Sequence, residues 1–462
     1  MLNLVLTGLC SAIKDSTMRR SISARRGLWL CALALLMVAC WWQIRQLGDP
    51  RDRLPSFYTW FAAAGAVYGA ALWVVRQVEQ ERPARRVEWA WLAPLLLAAW
   101  VARGTMVAVT PTLSEDIYRY RWDGRVQWAG LDPYAYPPNH PALQALRDAT
   151  LSRINFPHLR TIYPPLTERA FQLGVLLGDS LTSQKLVFLC AELLTMASLT
   201  LLVLCRGRSP LWVLAYAWHP LPILEIAGSG HNDALGVAWL WTGILAWQVR
   251  WRGGCALAWA AAFLSKFTSI ILAPWWWFRR EGRGELAAFL LLSLTPIVCS
   301  PTLAIALRES LSAMASRFES NASAYLFVTW LLHDPAAARV VVGGLWIGWL
   351  LWWARREADP AKYVMLGCAA AALLTPVLHP WYLLWLIPGF CLWRVPALMV
   401  WTGTVVLAYT VWPGYLAGGR WRMPGWAHVL EYAPVVLLGL WELRRVLPSA
   451  ARARSAAVTR PT

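Results

Sequence analysis

The chain of 462 residues is 58% apolar and 15% charged, with a mean hydropathy of +0.43. A bilayer-crossing helix needs about 20 largely apolar residues, so this composition supplies roughly a dozen crossings and excludes disordered, coiled-coil and secreted disulfide-scaffold classes. The net charge of +18 points to a membrane and not to nucleic acid: lysine occurs only at Lys14, Lys185, Lys266 and Lys362, so 39 of the 43 cations are arginine, most of them in short clusters between apolar runs.

In chain order, residues 1–17 are apolar at their start but lack the basic opening and small-residue cleavage site of a signal peptide. Met18, followed by Arg19 and Arg20, is the more ordinary start. Apolar runs then predict spans near 28–44, 57–76, 88–108, 184–204, 210–227, 233–249, 286–303, 338–354, 363–378, 381–393, 397–412 and 429–444. Lys14, Arg19, Arg20, Arg25 and Arg26 put segment 1–27 in the cytoplasm. Alternation keeps Arg82, Arg85, Arg86, Arg206, Arg208, Arg250, Arg252, Arg355, Arg356, Arg394 and the basic tail 447–462 on that side, with Arg51 and Arg53 as the exception. Residues 28–446 form one transmembrane domain in this scheme. Gly254–Phe278 has arginines at both ends and is too short for two crossings, so it predicts a re-entrant hairpin or a pair of half-helices with Lys266 near its tip. The expected fold is an all-α polytopic membrane protein: about 12 transmembrane helices, one re-entrant hairpin and amphipathic helices on the outer face. The nine cysteines lack CxxC or CxH spacing and read as small core residues.

This topology leaves one large loop outside, residues 110–184, and it is the most polar part of the chain. It opens SEDIYRYRWDGRVQWAGLDPYAYPP. A helix from Ser114 as N-cap to Trp128 places Asp116, Tyr120, Asp123 and Gln127 on one face. A solvated surface helix with internal ion pairs is the plainer reading. The same topology, however, brings His231, Asn232 and Asp233 (GSGHNDA) and His379, Trp381 and Tyr382 (HPWYLLW) to that face, with Arg103, Glu225 and Lys266 beneath. Ionisable groups at membrane depth are costly and mark function by default. A carboxylate above cations and aromatic walls suits a lipid-linked phosphosugar: phosphate takes Arg, Lys or His donors, and an acceptor hydroxyl takes a base. Without a DxD in soluble surroundings or a Gly-rich phosphate loop, a nucleotide sugar is not the expected donor.

The acidic pair Glu115-Asp116, the loop DIYRYRWDGRVQWAGLDPYAYPP, the later TIYPP, the GHND turn and HPWYLLW together resemble the polyprenyl-phosphate-sugar-dependent glycosyltransferases of superfamily C (GT-C), in particular bacterial lipid-linked mannosyltransferases. The resemblance runs from about residue 88 to 412 and departs in placing the loop after the third apparent span instead of the first. It implies a polyprenyl-phosphate-mannose donor, inversion at the anomeric carbon, a lipid or glycan acceptor, and an active site on the periplasmic side of the bacterial cytoplasmic membrane. The family's base maps to Asp116, with Glu115 in reserve. Donor-phosphate candidates are Arg103, Arg119, His231, Lys266 and His379. Sugar and acceptor candidates are Tyr118, Trp122, Asp123, Tyr163, Asn232, Asp233, Trp381 and Tyr382, with Asp123 and Arg125 alternatively bracing the loop. The scheme needs no cofactor and no metal, although paired carboxylates are also hard-cation ligands. The rival from another class is a multi-span transporter or flippase, which requires symmetry-related broken helices; the sequence shows no convincing repeat.

Overall fold

The computed structural model describes residues 24–80, 89–279 and 282–458. Residues 1–17, Arg19, Arg20, the Arg82–Arg86 cluster and the end of the basic tail lie outside these. Among the described residues the chain is helical, with no strand beyond one isolated bridge between Ser320 and Val377.

Among the described residues six helices are long and apolar enough to cross a bilayer: Arg26–Gln46, Pro50–Gln80, Ala90–Val107, Leu181–Cys205, Pro335–Arg356 and Pro396–Leu416. A seventh forms if Arg283–Val298 and Pro301–Ser316, bent by 93°, count as one. Large apolar side chains stand bare on these helices, among them Leu35, Trp73, Leu97 and Val340. Water would not tolerate so extensive an apolar belt, so the chain is a multi-pass membrane protein.

Among the described residues several of the expected runs are broken into shorter pieces, and proline is the main reason. Around the expected span 210–227, Pro210, Pro220 and Pro222 divide the chain into a 3₁₀ turn, two short helical turns and a π-helical segment, Ile223–Gly228. The run 381–393 becomes two 3₁₀ turns that start at Pro380 and Ile387-Pro388. The segment expected to be a hairpin or a pair of half-helices folds as helix, break, helix: Arg252–Ser265, extended backbone at Lys266, a 3₁₀ turn, then Leu272–Trp277.

Four helices position the site: α1 (Trp89–Val107), α2 (Asp116–Trp128), α3 (Pro165–Leu176) and α4 (Leu181–Cys205). Within the bundle, fully buried Arg103 of α1 lays its guanidinium on Glu192 of α4 at 2.8 and 2.9 Å and donates to the Ala217 carbonyl at 2.7 Å. Lys185 of α4 donates to the Val107 and Val109 carbonyls, closing the end of α1. Helix α2 is not a solvated surface helix. Ile117, Tyr120, Trp122 and Val126 are buried, and Gly124 lies so close to α3 that a Cβ there would stand 2.4 Å from the Phe171 carbonyl oxygen. The N-cap also differs from expectation: Glu115 occupies it, and the Ser114 Oγ accepts from the Asp116 N–H at 3.4 Å.

Candidate active site

Asp116 is the first residue of α2, where the free N–H groups of a helix favour an anion. Its side chain keeps 29% of its surface open while the carboxyl lies deep among neighbours. That burial raises its pKa to about 6; Asp233 and Glu115 add to the rise, and Lys266 and Asn155 oppose it. Glu115 is engaged elsewhere, in an ion pair with Arg153 at 2.8 Å, and that guanidinium lies 4.6 Å over the Tyr118 ring.

Three distant segments close around Asp116. From the GHND turn, buried His231 points Nδ1 at Asp116 Oδ2, 3.9 Å away. Its ring stacks on Trp381 with centroids 3.9 Å apart, and Trp381 stacks in turn on His379 at 4.4 Å. Tyr382 meets His379 edge-on. From the helix break, Lys266 pairs with Asp233, whose other oxygen accepts from the Trp385 indole at 2.7 Å. The Lys266 ammonium lies 5.9 Å over the Tyr382 ring. Asn232 receives a long 3.5 Å bond from the Tyr120 hydroxyl, and Tyr163 packs edge-on against Tyr120. Burial, with Lys266 and His379 nearby, holds the His231 imidazole neutral; burial and Lys266 push His379 down to about 4.

The arrangement therefore brings together Asp116, His231, Asn232, Asp233, Lys266, His379, Trp381 and Tyr382, with Tyr163 at one side. It does not bring in Arg103, which is committed to Glu192, or Trp122, which is 2% exposed inside the core. Arg119 and Asp123 pair with each other at 2.8 Å one helical turn away, and Arg119 also holds the Leu159 carbonyl. Among the described residues no three His, Cys, Asp or Glu side chains are grouped to hold a metal ion.

Glu225, expected beneath this face, lies 3.5 Å from His231 Nε2 and accepts from the Tyr409 hydroxyl at 2.7 Å; Trp385 and Asn155 were not singled out from the sequence. Glu225 and His231, six apart, would face different ways on an α-helix; the π-helical turn and the left-handed Gly230 after it juxtapose them. A second polar node lies toward the far end of α2. There Gln127 and Thr161 both donate to Glu168, at 2.9 and 2.7 Å, beside a cavity of about 510 Å³ lined also by Asp132, Tyr134 and Arg169. Its wall residue Tyr134 belongs to a small apolar cluster with Leu303 and Ala306, against which Phe267, next to Lys266, packs.

No solved structure matches the chain. Alpha-(1->6)-mannopyranosyltransferase A of Mycobacterium tuberculosis (strain ATCC 25618 / H37Rv) is 27% identical over 341 residues. The match takes in 64% of this chain and 62% of that protein, so the chain spans under two thirds of its relative's length. The family model described as "Alpha-(1->6)-mannopyranosyltransferase, N-terminal domain" matches residues 17–279, more than half of the sequence and the stretch that carries Asp116, the GHND turn and Lys266; the chain belongs to that family of mannosyltransferases.

Proposed function

We propose that this protein transfers mannose, with inversion, from a polyprenyl-phosphate-linked donor to a lipid or glycan acceptor at the outer face of the bacterial cytoplasmic membrane. The observation that carries the reading is the partly open Asp116 carboxylate, poised near neutrality within the field of Lys266 and beside stacked imidazole and indole rings. Asp116 takes the proton of the acceptor hydroxyl while that oxygen attacks the anomeric carbon; the bond from that carbon to the phosphate oxygen breaks on the opposite side. Charge that develops on the leaving phosphate meets Lys266 and His379 in a water-poor site. Tyr163, Trp381, Tyr382 and Asn232 offer aromatic faces and an amide to the sugars, and the cavity beside Glu168 gives the acceptor room. Arg103, Arg119 and Asp123 act as braces in this scheme.

The relative's name supports mannose as the sugar and a 1→6 linkage as the product. Residues 28–446 act as one domain with loop 110–184 outside, and the broken segments at 210–227, 254–278 and 381–393 supply irregular passages between the long helices. Such broken backbone is tolerated in a bilayer where it lines a protein cavity.

The test supplies purified protein with polyprenyl-phosphate carrying labelled mannose and an acceptor extract. Label should move to the acceptor, and nucleotide-linked mannose should not replace the donor. Asp116→Asn should lower the rate by about 10² to 10⁴, while Glu115→Gln keeps most of it. A fully active Asp116→Asn would overturn the assignment.

A further inference from the structure

We propose that Arg53, Arg420 and Arg422, stitched together by Arg51 and a cluster of Trp and Tyr rings at the rim of the bundle, form a docking site for the phosphate headgroup of an anionic membrane phospholipid, on the same side of the membrane as Asp116. The site stands apart from the transfer chemistry and holds whichever residue acts as base.

Arg51 and Arg53 break the arginine pattern of the sequence, since alternation of spans puts them across the membrane from the other clusters. The fold gives them company. The candidate spans Arg26–Gln46, Pro50–Gln80 and Pro396–Leu416 all have an end at this place. The Arg51 guanidinium lies 4.9 Å over the ring of Trp412, near the end of the third span, and holds the Asp49 carboxylate at 2.7 Å. Trp412 packs edge-on against Trp421 at 5.0 Å, and Tyr415 closes the triangle at 5.1 Å from Trp421 and 5.9 Å from Trp412. Trp421 is the residue between Arg420 and Arg422, so two segments that are far apart in the chain bring their arginines to one patch. The Trp412 indole fixes the side: it donates to the carbonyl of Leu113, three residues before Asp116, at 3.2 Å.

Arg53, Arg420 and Arg422 are exposed, and among the described residues they make no hydrogen bond or ion pair. The nearby carboxylates are mostly committed elsewhere. Asp49 is held by Arg51, and Glu115, whose charge reaches Arg51, is held by Arg153 at 2.8 Å, which leaves the exposed Asp52. The patch therefore keeps a net positive charge. Tyr415, Leu416 and Trp426 are exposed beside it, and such rings settle at the level of the lipid headgroups. Guanidinium grips a phosphate through two parallel hydrogen bonds, which an ammonium cannot do. A basic cluster directly beyond a membrane span is the sequence pattern of anionic-lipid binding. Apolar surface next to the cations favours a phosphate that carries acyl chains over one free in water, and a zwitterionic headgroup brings its own cation into the site.

The test is a lipid titration of the purified full chain in neutral detergent, read as melting temperature and apparent lipid affinity, with phosphatidylglycerol, phosphatidylcholine and polyprenyl phosphate as separate probes. Phosphatidylglycerol should stabilise the wild-type chain, and phosphatidylcholine should not. In the triple variant Arg53→Gln, Arg420→Gln, Arg422→Gln the affinity for phosphatidylglycerol should fall about a hundredfold, roughly fivefold for each arginine. The control triple Arg355→Gln, Arg356→Gln, Arg444→Gln removes the same charge from exposed arginines outside the patch and should bind as wild type does. Equal losses in both triples would reveal bulk charge attraction, and no loss in either would show that no lipid docks here; each result overturns the site. A loss confined to polyprenyl phosphate gives the patch to the donor and overturns the phospholipid site as well. Where the triple variant fails to fold, the single variants decide: each should lose about fivefold, and three unchanged singles defeat the proposal. A fully active Asp116→Asn leaves the lipid result standing, so failure of the base and failure of this site are read apart.

Discussion

The proposed base, Asp116, can accept a proton only when ionised, and burial has raised its pKa to about 6. The sign follows directly. Above that pH the carboxylate is free to accept a proton; below it the site carries the proton already. The rate should therefore hold toward neutral pH and fall about tenfold per unit well below pH 6, read as kcat/KM against pH so that the free protein's group is reported. An acid limb near pH 4, the range of an ordinary carboxylate, would mean that Asp116 is not the base. Lys266 has a double duty at the same scale. It neutralises Asp233, which has no exposed surface, and it remains partly open, so its ammonium is held in place ahead of the phosphate it is proposed to bind. The two imidazoles contribute differently: His379 keeps an open edge, whereas His231 is sealed between an indole and two carboxylates.

Between elements, the Arg103–Glu192 pair joins α1 to α4 with both side chains at 0% exposure. Arg103→Met would leave the Glu192 carboxylate buried with only the Tyr216 hydroxyl for company. Breaking one side of such a pair costs about 3–5 kcal/mol, while replacing both partners by apolar groups is often neutral. Arg103→Met should thus lower the melting temperature and expression sharply, and Arg103→Met with Glu192→Met should recover much of the loss in a thermal melt in detergent. Activity that falls without any change in melting would point back to a role in substrate binding. The same elements show how far pattern reading goes. The α1 and α4 runs were legible from unbroken apolar stretches, and their boundaries match to a few residues. The Gly254–Phe278 segment was legible as an anomaly, because arginines at both ends of a short apolar run contradict a simple crossing. The π-turn at Glu225 was not legible, since its residues fit an ordinary helix equally well.

For the whole molecule, the proposed orientation places loop 110–184 outside and the Arg250–Arg252 turn inside. Ser152 and Gly253 are exposed at these two places, and a side chain at Gly253 meets nothing. In a background without native cysteines, Ser152→Cys should react with a membrane-impermeant thiol reagent in intact cells, and Gly253→Cys only after lysis. The reverse pattern would invert the topology and move the site to the cytoplasm.

Composition and arginine spacing by themselves determined a multi-pass helical protein, because the bilayer demands length and apolarity that no loop can imitate. The motifs around Asp116, His231 and His379 likewise pointed to one face and to sugar transfer. Tertiary structure alone decided how those groups are used. Arg103 and Lys266 are both cations in apolar runs and look alike in sequence, yet one is sealed on Glu192 and the other stays half-open beside Asp116. Which partner a buried charge finds depends on contacts between residues as far apart as 89 positions, set by packing and not by local periodicity. Glu225 entered the site for the same reason: its nearness to His231 comes from a π-helical turn and a left-handed glycine pressed against α2, geometry that exists only once the helices have met.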